Sequence, residues 1–300
     1  MTVTSEPSSE STEATPQFEK AAQRKESRRG FLLALPSYLY LIIFFVIPLV
    51  IVLVYSFATR NRFGGTDLSG WNLASYERIA EPIVRTILFR SLWLAFLTTI
   101  ICLLIAYPFA YFLATRRPAI RNVMLVFVMI PFWTNFLVRN FAWRVILGND
   151  GPLTKTTEFL GLGTHELLFS QKAVVLGLVY GYLPFMILPL YAAIERIDGQ
   201  LIEASRDLYS SGWQSFRNVL LPLSMPGVIA GSILVFIPSL GAYVTPEILG
   251  GAKTTLLGSY IVTQFLTARN WPFGAALSFV LMAIMLVGTV IYFRKGGRTL

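Results

Sequence analysis

Two short motifs and one cysteine contain residue types that carry chemistry in other proteins. HELLF begins like the zinc-binding HExxH pair at His165, the single histidine of the chain, but Phe169 stands where the second histidine is needed. GGAKTT is close to a phosphate-binding loop, yet Ala252 precedes Lys253, so the GxxxxGK[ST] spacing is absent. Cys102 is the single cysteine and lies in an apolar run, which excludes a disulfide or a cysteine metal site within the chain. The sequence therefore predicts no metal, no cofactor, no catalytic residue and no nucleotide hydrolysis by this chain alone.

The composition places the chain in a lipid bilayer. Hydrophobic residues make up 55% of the 300 residues, charged residues only 14%, and the mean hydropathy is +0.62. A soluble domain usually has about a quarter of its residues charged. The net charge of +9 does not indicate nucleic-acid binding, because the sequence contains no basic stripe with interleaved aromatics. The Lys and Arg residues lie instead in the connections between apolar runs, as topology signals do.

Six apolar runs are candidates to cross a bilayer, which takes about 20 residues. They cover approximately 31–58, 89–114, 122–138, 173–194, 223–245 and 273–293. The third run is short because Arg139 ends it, unless the helix continues past this residue in a sheltered environment. The central parts of the runs contain no Asp, Glu, Lys, Arg or His. Carriers driven by protons or cations usually keep ionisable residues there, so energy is expected to come from outside the membrane.

The charge distribution predicts the orientation and the domain limits. Basic residues are densest in the N-terminal tail, in the short turn 115–122, in the loop 195–222 and at the C-terminus, so these parts are predicted to be cytoplasmic. We expect a disordered cytoplasmic tail over 1–30, a transmembrane domain over 31–295 and a cytoplasmic tail over 296–300. The SRRGFLL sequence has a twin-arginine pattern, but the apolar run after it is too long for a signal peptide. The segment 246–272 is predicted to be a re-entrant or interfacial excursion on the outer side.

One polar stretch interrupts the apolar chain, EASRDLYSSGWQSFRNVLLPLSMPG, from Glu203 to Gly227. Asp198 can cap a helix that precedes a bend at Ser210-Ser211-Gly212, and Pro222 is expected to end a second helix. Both helices have one apolar face at spacings of three and four. Periodicity alone fits two interpretations, a helix resting on the lipid headgroups or an element that docks in a groove of a cytoplasmic partner.

This stretch resembles the EAA signature of ABC importer permeases, in which Glu-Ala-Ala is followed by a glycine and later by Leu-Pro. The chain has Glu203-Ala204-Ser205 and then Leu221-Pro222 at the spacing of that family. Two positions depart from the pattern. Ser205 replaces the second alanine, and Tyr209 occupies the usual glycine position, where Gly212 can supply the bend. The resemblance favours the docking interpretation.

Other parts of the chain are similar to the first permease subunit of spermidine/putrescine importers. The matching stretches, in order, are IPFWTNFLVR, LVYGYLPFMILPLYAAIERID, PSLGAYVTPEILGGAK and RNWPFGAA. The resemblance implies an all-α type I permease in a bacterial inner membrane. It also implies a second homologous permease, two cytoplasmic ATP-binding subunits and an extracytoplasmic solute-binding protein as partners, and polyamines as the solute. An importer for another small solute, such as an amino-acid derivative or an opine, and a self-contained carrier remain the alternatives.

The resemblance also assigns candidate roles to individual residues. The ATPase-coupling candidates are Glu203, Ala204, Ser205, Arg206, Leu208, Tyr209, Gly212, Trp213 and Phe216. Glu203 and Arg206 are expected to pair with partner charges, and Leu208, Trp213 and Phe216 to anchor. The substrate-pathway candidates are Trp133, Asn135, Tyr243, Glu247 and Trp271. Aromatic faces and carboxylates suit a flexible polycation, although Trp and Tyr also anchor proteins at membrane interfaces. Arg139 would repel a polycation and is expected to orient the third span instead.

Overall fold

The computed structural model describes residues 34–61, 65–159, 167–207 and 211–296. The predicted N-terminal tail, His165, Leu208, Tyr209 and the last four residues lie outside these ranges. Contacts divide the chain into two units, Met1–Val54 and Tyr55–Leu300, and each is described by itself. In the first unit, the described residues form most of one apolar helix that contains a π-helical turn at Ile42–Val46.

The described secondary structure is almost entirely helical. The helices are α1 (Ala34–Ser56), α2 (Ala74–Glu77), α3 (Pro82–Ala114), α4 (Pro118–Trp133), α5 (Phe136–Leu147), α6 (Pro152–Phe159), α7 (Gln171–Glu195), α8 (Gly199–Asp207), α9 (Gly212–Leu240), α10 (Leu257–Leu266) and α11 (Trp271–Gly296). Short 3₁₀ turns lie at Arg78–Ala80 and Gly251–Thr254, and a π turn lies at Pro246–Gly250. Strands β1 (Thr59–Arg60) and β2 (Thr66–Asp67) form an antiparallel hairpin, with Thr59 opposite Asp67.

The spans agree with the predicted all-α membrane architecture. By length and composition, five of the described helices can cross a membrane, and a sixth span results if α4 and the bent segment Phe136–Phe159 that follows it count as one. The second span begins at Pro82, seven residues before the predicted start. Proline is favoured at the first position of a helix, where its missing N–H has no intrahelical acceptor to lose. Arg85 and Arg90 therefore lie inside this helix, although the sequence placed the first of them in a loop.

Helices α3, α7 and α9 pack together as the centre of the second unit. Their buried contacts include Ala106 and Leu113 of α3 and Leu190 of α7. Two glycines of α9, Gly227 and Gly231, let the backbones of α7 and α9 approach closely. A Cβ at Gly227 would come within 2.7 Å of the Pro189 carbonyl oxygen, which is too close for any other residue type. Small residues four apart are a common device where membrane helices cross.

The predicted re-entrant segment after α9 folds back as a π turn, a 3₁₀ turn and the ten-residue helix α10. Ten residues span about 15 Å and cannot cross a bilayer core of roughly 30 Å. The first N–H of α10, at Leu257, donates to the buried Ser91 Oγ of α3 at 2.7 Å. A side chain of α3 thus accepts a hydrogen bond from a backbone N–H at the start of α10 that has no acceptor within its own helix. Backbone that does not span the membrane needs such partners when it lies inside a bilayer.

Side-chain hydrogen bonds hold both strands of the hairpin between α1 and α2. The carboxylate of Asp67 accepts hydrogen bonds from the hydroxyl and the backbone N–H of Ser69, and these bonds hold the pKa of Asp67 below its ordinary value. Arg60 of the first strand donates to the Ala268 carbonyl at 2.8 Å and ties the hairpin to the turn before α11.

Candidate functional site

Helix α8 and the start of α9 form a polar element at the end of the bundle, which we call the coupling segment (Gly199–Asp207 and Ser211–Phe216). Asp198 caps α8, because its carboxylate accepts the backbone N–H of Gln200 at 3.0 Å. Ser211 caps α9 in a reciprocal arrangement with Gln214, in which each side chain accepts the backbone N–H of the other residue. The predicted pair of helices with a break near Ser211 is therefore present.

The two helices of the coupling segment are joined by side chains. The hydroxyls of Ser205 and Ser215 are hydrogen-bonded at 2.5 Å, and Ser205 also donates to the Ile202 carbonyl. Ser215 is buried, with 6% of its surface exposed. Alanine is usual at the position of Ser205 in the signature, so this contact is available here because of the departure from it.

The second helix does not end at Pro222, and that prediction is wrong. Helix α9 runs unbroken from Gly212 to Leu240, so the coupling segment continues directly into a membrane span. A π-helical turn at Phe216–Leu220 precedes the proline, and the N–H of Leu221 donates to the Phe216 carbonyl five residues back. The wider turn accommodates Pro222, which has no N–H to give to the α-helical pattern. The second part of the coupling segment and the span therefore form one continuous helix.

Phe216 connects the coupling segment with α3. Its ring packs edge-on against Tyr107 with centroids 5.3 Å apart and stacks on Trp213 at 5.2 Å. The hydroxyl of Tyr107 is hydrogen-bonded to the buried Ser224 Oγ of α9 at 2.7 Å. Phe216, which the sequence predicts to be an anchor for a partner, is half-buried against these two rings. Trp213, with 68% of its surface exposed, is the aromatic side chain that this segment presents outward.

The outward surface of the coupling segment is mixed in character. Leu201, Glu203, Ala204 and Trp213 are exposed, and a cavity of about 570 Å³ lies beside Leu201 between α7 and α9. Gly212 is also exposed, with open space where a Cβ would stand. Arg206 lies on α8. An acidic residue between exposed apolar ones is a surface that fits recognition by a partner groove.

The third span is broken rather than shortened. Helix α4 and the segment Phe136–Phe159, which contains α5 and α6, meet at 88° around Thr134 and Asn135. The Asn135 side chain caps α5 by accepting the N–H groups of Leu137 and Val138. Arg139 does not end the run, since it lies in the second turn of α5.

Arg139 of α5 forms a hydrogen bond to α4 across the break of the third span. Its guanidinium donates to the carbonyl of Pro131, in the last turn of α4, at 3.0 Å, and Thr134 donates to the same oxygen. The guanidinium also lies near the rings of Phe136 and Tyr180, at 5.4 and 5.8 Å from their centroids. The chain itself therefore supplies partners for one carbonyl at the end of α4 and for two N–H groups at the start of α5. These contacts support the orienting role predicted for Arg139.

The five substrate-pathway candidates do not form one cluster. Trp133 and Asn135 lie at the break of the third span, and Tyr243 and Glu247 follow α9, where the Glu247 N–H donates to the Tyr243 carbonyl. Helix α5 contacts the π turn that contains Glu247, so these two parts adjoin. Trp271 contacts Tyr55 and Phe265, and no ring or hydrogen-bond contact between described residues joins it to the other four.

Residues 106–294, which include the coupling segment, the broken span and the helices that hold them, match the family described as binding-protein-dependent transport system inner membrane component. The chain belongs to this family. It is accordingly a multi-pass protein of the inner membrane and a transport component. Three family-level predictions, membrane class, fold and transport role, are confirmed.

Similar proteins support the same assignment. The chain is 42% identical over 259 residues to the spermidine/putrescine transport system permease protein PotB of Haemophilus influenzae, covering 85% of this chain and 90% of that one. It is 38% identical over 257 residues to PotB of Escherichia coli K12, covering 85% and 93%. The inner membrane ABC transporter permease protein YdcU of the same strain is 31% identical over 279 residues, covering 88% of each chain.

Solved structures place the fold among ABC importer permeases. A bacterial ABC transporter involved in the import of the acidic polysaccharide alginate matches with a TM-score of 0.70 at 14% identity, covering 94% of this chain and 99% of that one. The alginate ABC transporter in complex with an alginate pentasaccharide-bound periplasmic protein matches at 0.74 and 15%, covering 92% and 96%. A chain of the MetNI methionine ABC transporter matches at 0.55 and 19%, covering 75% and 99%.

Two side-chain contacts at the site could not be predicted from the sequence. Tyr107 and Ser224 are 117 positions apart, and no local pattern indicates that their hydroxyls are hydrogen-bonded. The Pro131 partner of Arg139 is eight positions away, and only Pro131 itself, four residues before the capping Asn135, signals a helix break there.

Proposed function

We propose that this chain is a permease subunit of an ABC importer that moves polyamines across the inner membrane. The observation that carries the substrate class is the 42% identity to a spermidine/putrescine permease over 85% of the chain, at nearly the full length of that relative. An importer of another small solute would keep the same fold and coupling segment. The alginate and methionine transporters share the fold at less than 20% identity, so the fold itself does not select the solute.

In this proposal the chain has no ATPase site of its own and works with partners. These are a second permease, two cytoplasmic ATP-binding subunits and an extracytoplasmic solute-binding protein. The coupling segment would dock on one ATP-binding subunit through Trp213, Leu201 and Glu203, and both termini would lie on the same, cytoplasmic, side. The exposure of these side chains and the basic residues of the neighbouring connections support that orientation.

Coupling follows from the continuity of α9. A partner that binds the coupling segment differently in its open and closed states supplies the free energy that shifts the spans between inward- and outward-facing arrangements. Phe216 and Tyr107 would pass the displacement to α3, while the unbroken helix carries it along α9. The close α7–α9 contact at Gly227 and Gly231 would make the three helices move together.

The substrate path in this proposal runs past the break of the third span. Trp133 is exposed there, and Glu247 is an exposed carboxylate on the adjoining turn. A carboxylate and an aromatic face are suitable partners for an alkylammonium group. Asn135 and Trp271 would act as supports, since the first caps α5 and the second packs in an aromatic cluster.

The substrate assignment is tested by uptake in cells. Deletion of the gene, in a strain without a redundant system, should abolish ATP-dependent uptake of labelled spermidine and putrescine. Excess unlabelled spermidine should compete in the wild type, and excess amino acids should not. Unchanged polyamine uptake after deletion would refute the substrate and leave the permease class in place.

The coupling assignment is tested separately by binding. Trp213→Ala should weaken the affinity of the ATP-binding subunit for the full-length chain in nanodiscs by about 30-fold, the size expected for an aromatic hot spot of 2 kcal/mol. Trp71→Ala is the matched control, because Trp71 is equally exposed, at 71%, but precedes α2 outside the coupling segment. Equal affinities of wild type and Trp213→Ala would exclude this docking surface.

A further inference from the structure

Two adjoining cavities lie between α3 and α7, at the end of α3 opposite the coupling segment. The first has a volume of about 560 Å³ and is lined by polar and aromatic side chains, among them Arg85, Arg90 and Gln171. The second has a volume of about 430 Å³ and is lined mainly by aliphatic residues of the two helices. Trp93, Leu94 and Gln171 line both. The two cavities therefore form one groove with a polar end and an apolar end.

The polar end carries uncompensated positive charge. Arg85 is exposed, and Arg90 is half-buried and donates to the Lys253 carbonyl at 3.4 Å, a neutral acceptor. Lys172 lines the adjoining part of the groove, and no carboxylate among the described residues lines either cavity. The nearby Glu81 pairs with Arg78. The groove also lies beside the N-terminal ends of α3 and α7, where the helix dipoles favour an anion.

The apolar end has the length of one acyl chain in one leaflet. Its lining on α3 extends from Trp93 to Ile105 and on α7 to Val179. Twelve steps along a helix cover about 18 Å, and half of a bilayer core of roughly 30 Å is about 15 Å. Trp93, at the junction of the two cavities, is a residue type that prefers the headgroup level of a membrane.

We propose that this groove is a binding site for an anionic phospholipid of the leaflet opposite the coupling segment. Arg85 and Arg90 bind the phosphate and its anionic headgroup, Trp93 lies at the glycerol level, and one acyl chain occupies the groove as far as Ile105. A bound lipid fills the space between α3 and α7, two of the three central helices, and so contacts the part of the bundle that the coupling segment is proposed to move.

A phospholipid fits the groove better than a helix of another protein does. The occupant must bring negative charge at the headgroup level and an apolar, flexible body below it, and a phospholipid has both in one molecule. Two arginines line the polar end, and arginine binds phosphate oxygens in a bidentate manner. The lipid site depends on the fold and not on the transported solute. Its test is therefore independent of the polyamine assignment.

Native mass spectrometry of the delipidated full-length chain tests the headgroup contacts. Phosphatidylglycerol should be retained in preference to phosphatidylcholine with the same acyl chains. Arg85→Gln should weaken phosphatidylglycerol retention about fivefold and Arg85→Gln/Arg90→Gln about 25-fold, from the contribution of a basic residue near an anionic headgroup. Lys155→Gln, which removes an exposed cation outside both cavities, should have no effect.

A second pair of variants tests the groove. Leu176→Trp fills the apolar end and should reduce binding of both lipids, whereas Phe127→Trp, on an exposed position of α4 outside both cavities, should not. Thermal unfolding verifies that all variants are folded. Equal retention of the two lipids by the wild type, wild-type retention by the double arginine variant, or displacement of the lipid by inorganic phosphate at equal concentration would overturn the proposal. So would a lipid-free groove occupied by a partner helix in the assembled complex.

Discussion

The hydrogen bond between Ser205 and Ser215 is predicted to hold the two helices of the coupling segment at a fixed angle. The two hydroxyl oxygens are 2.5 Å apart, and Ser215 is buried. A hydrogen bond of this kind contributes about 0.5–1.5 kcal/mol net. If its loss affects only the docked arrangement of α8 against α9, an effect of 1 kcal/mol lowers the population of that arrangement relative to open forms about fivefold.

Ser205→Ala, Ser215→Ala and the double variant form a cycle that isolates this contact. Hydrogen exchange of the amides in 199–207 and 212–216, measured on the full-length chain, should be faster by about fivefold in each single variant. The double variant should be close to either single variant, so that the interaction free energy is about 1 kcal/mol. Ser278→Ala is the control, because the Ser278 hydroxyl bonds only one turn back, to the Gly274 carbonyl in α11.

Additive effects in this cycle, with an interaction free energy below about 0.3 kcal/mol, would show that the bond between the two hydroxyls does not hold α8 against α9. The two serines would then act through separate contacts, and the angle of the segment would depend on the packing of Phe216 instead.

Three further predictions concern the bundle and the substrate path. Ser91→Ala removes the acceptor of the buried first N–H of α10 and should destabilise the chain by about 1–3 kcal/mol in thermal unfolding, whereas a smaller loss would show that α10 is not held by this bond. Gly231→Ala brings a Cβ to 2.7 Å from the Met186 sulfur and 3.2 Å from its carbonyl oxygen, and should lower stability by about 1–3 kcal/mol while Gly288→Ala, in open space, does not. Glu247→Gln should raise the KM for spermidine uptake about tenfold with little change in the amount of assembled protein, equivalent to 1.4 kcal/mol of lost attraction. An unchanged KM would remove Glu247 from the path.

The span pattern was readable from sequence because a bilayer demands long apolar runs. The ends of individual helices were harder to predict from the sequence. The run that ends at Pro222 by the rules for soluble helices continues through it, because a π turn makes room for the proline. Likewise Arg139 stopped the third run on charge alone, whereas the structure satisfies its guanidinium within the chain, at a carbonyl and near two rings.

Partner surfaces were predictable as segments but not as individual contacts. The periodicity of the polar stretch placed Trp213 and Phe216 on one face, yet only the packing reveals that Phe216 faces Tyr107 while Trp213 faces outward. The Ser205–Ser215 bond depends on how two helices are oriented across a break, and no local pattern encodes that angle. The lipid groove joins residues of α3 with residues of α7, more than 65 positions apart.

ATP dependence of polyamine uptake is the most direct test of the account. Proteoliposomes that contain the assembled transporter, with the solute-binding protein and labelled spermidine on the outside, should accumulate label when ATP is enclosed in the lumen. Accumulation should stop without ATP, and Trp213→Ala should reduce it while Trp71→Ala does not. Equal accumulation with and without ATP, or by this chain alone, would contradict a permease that receives its energy through the coupling segment.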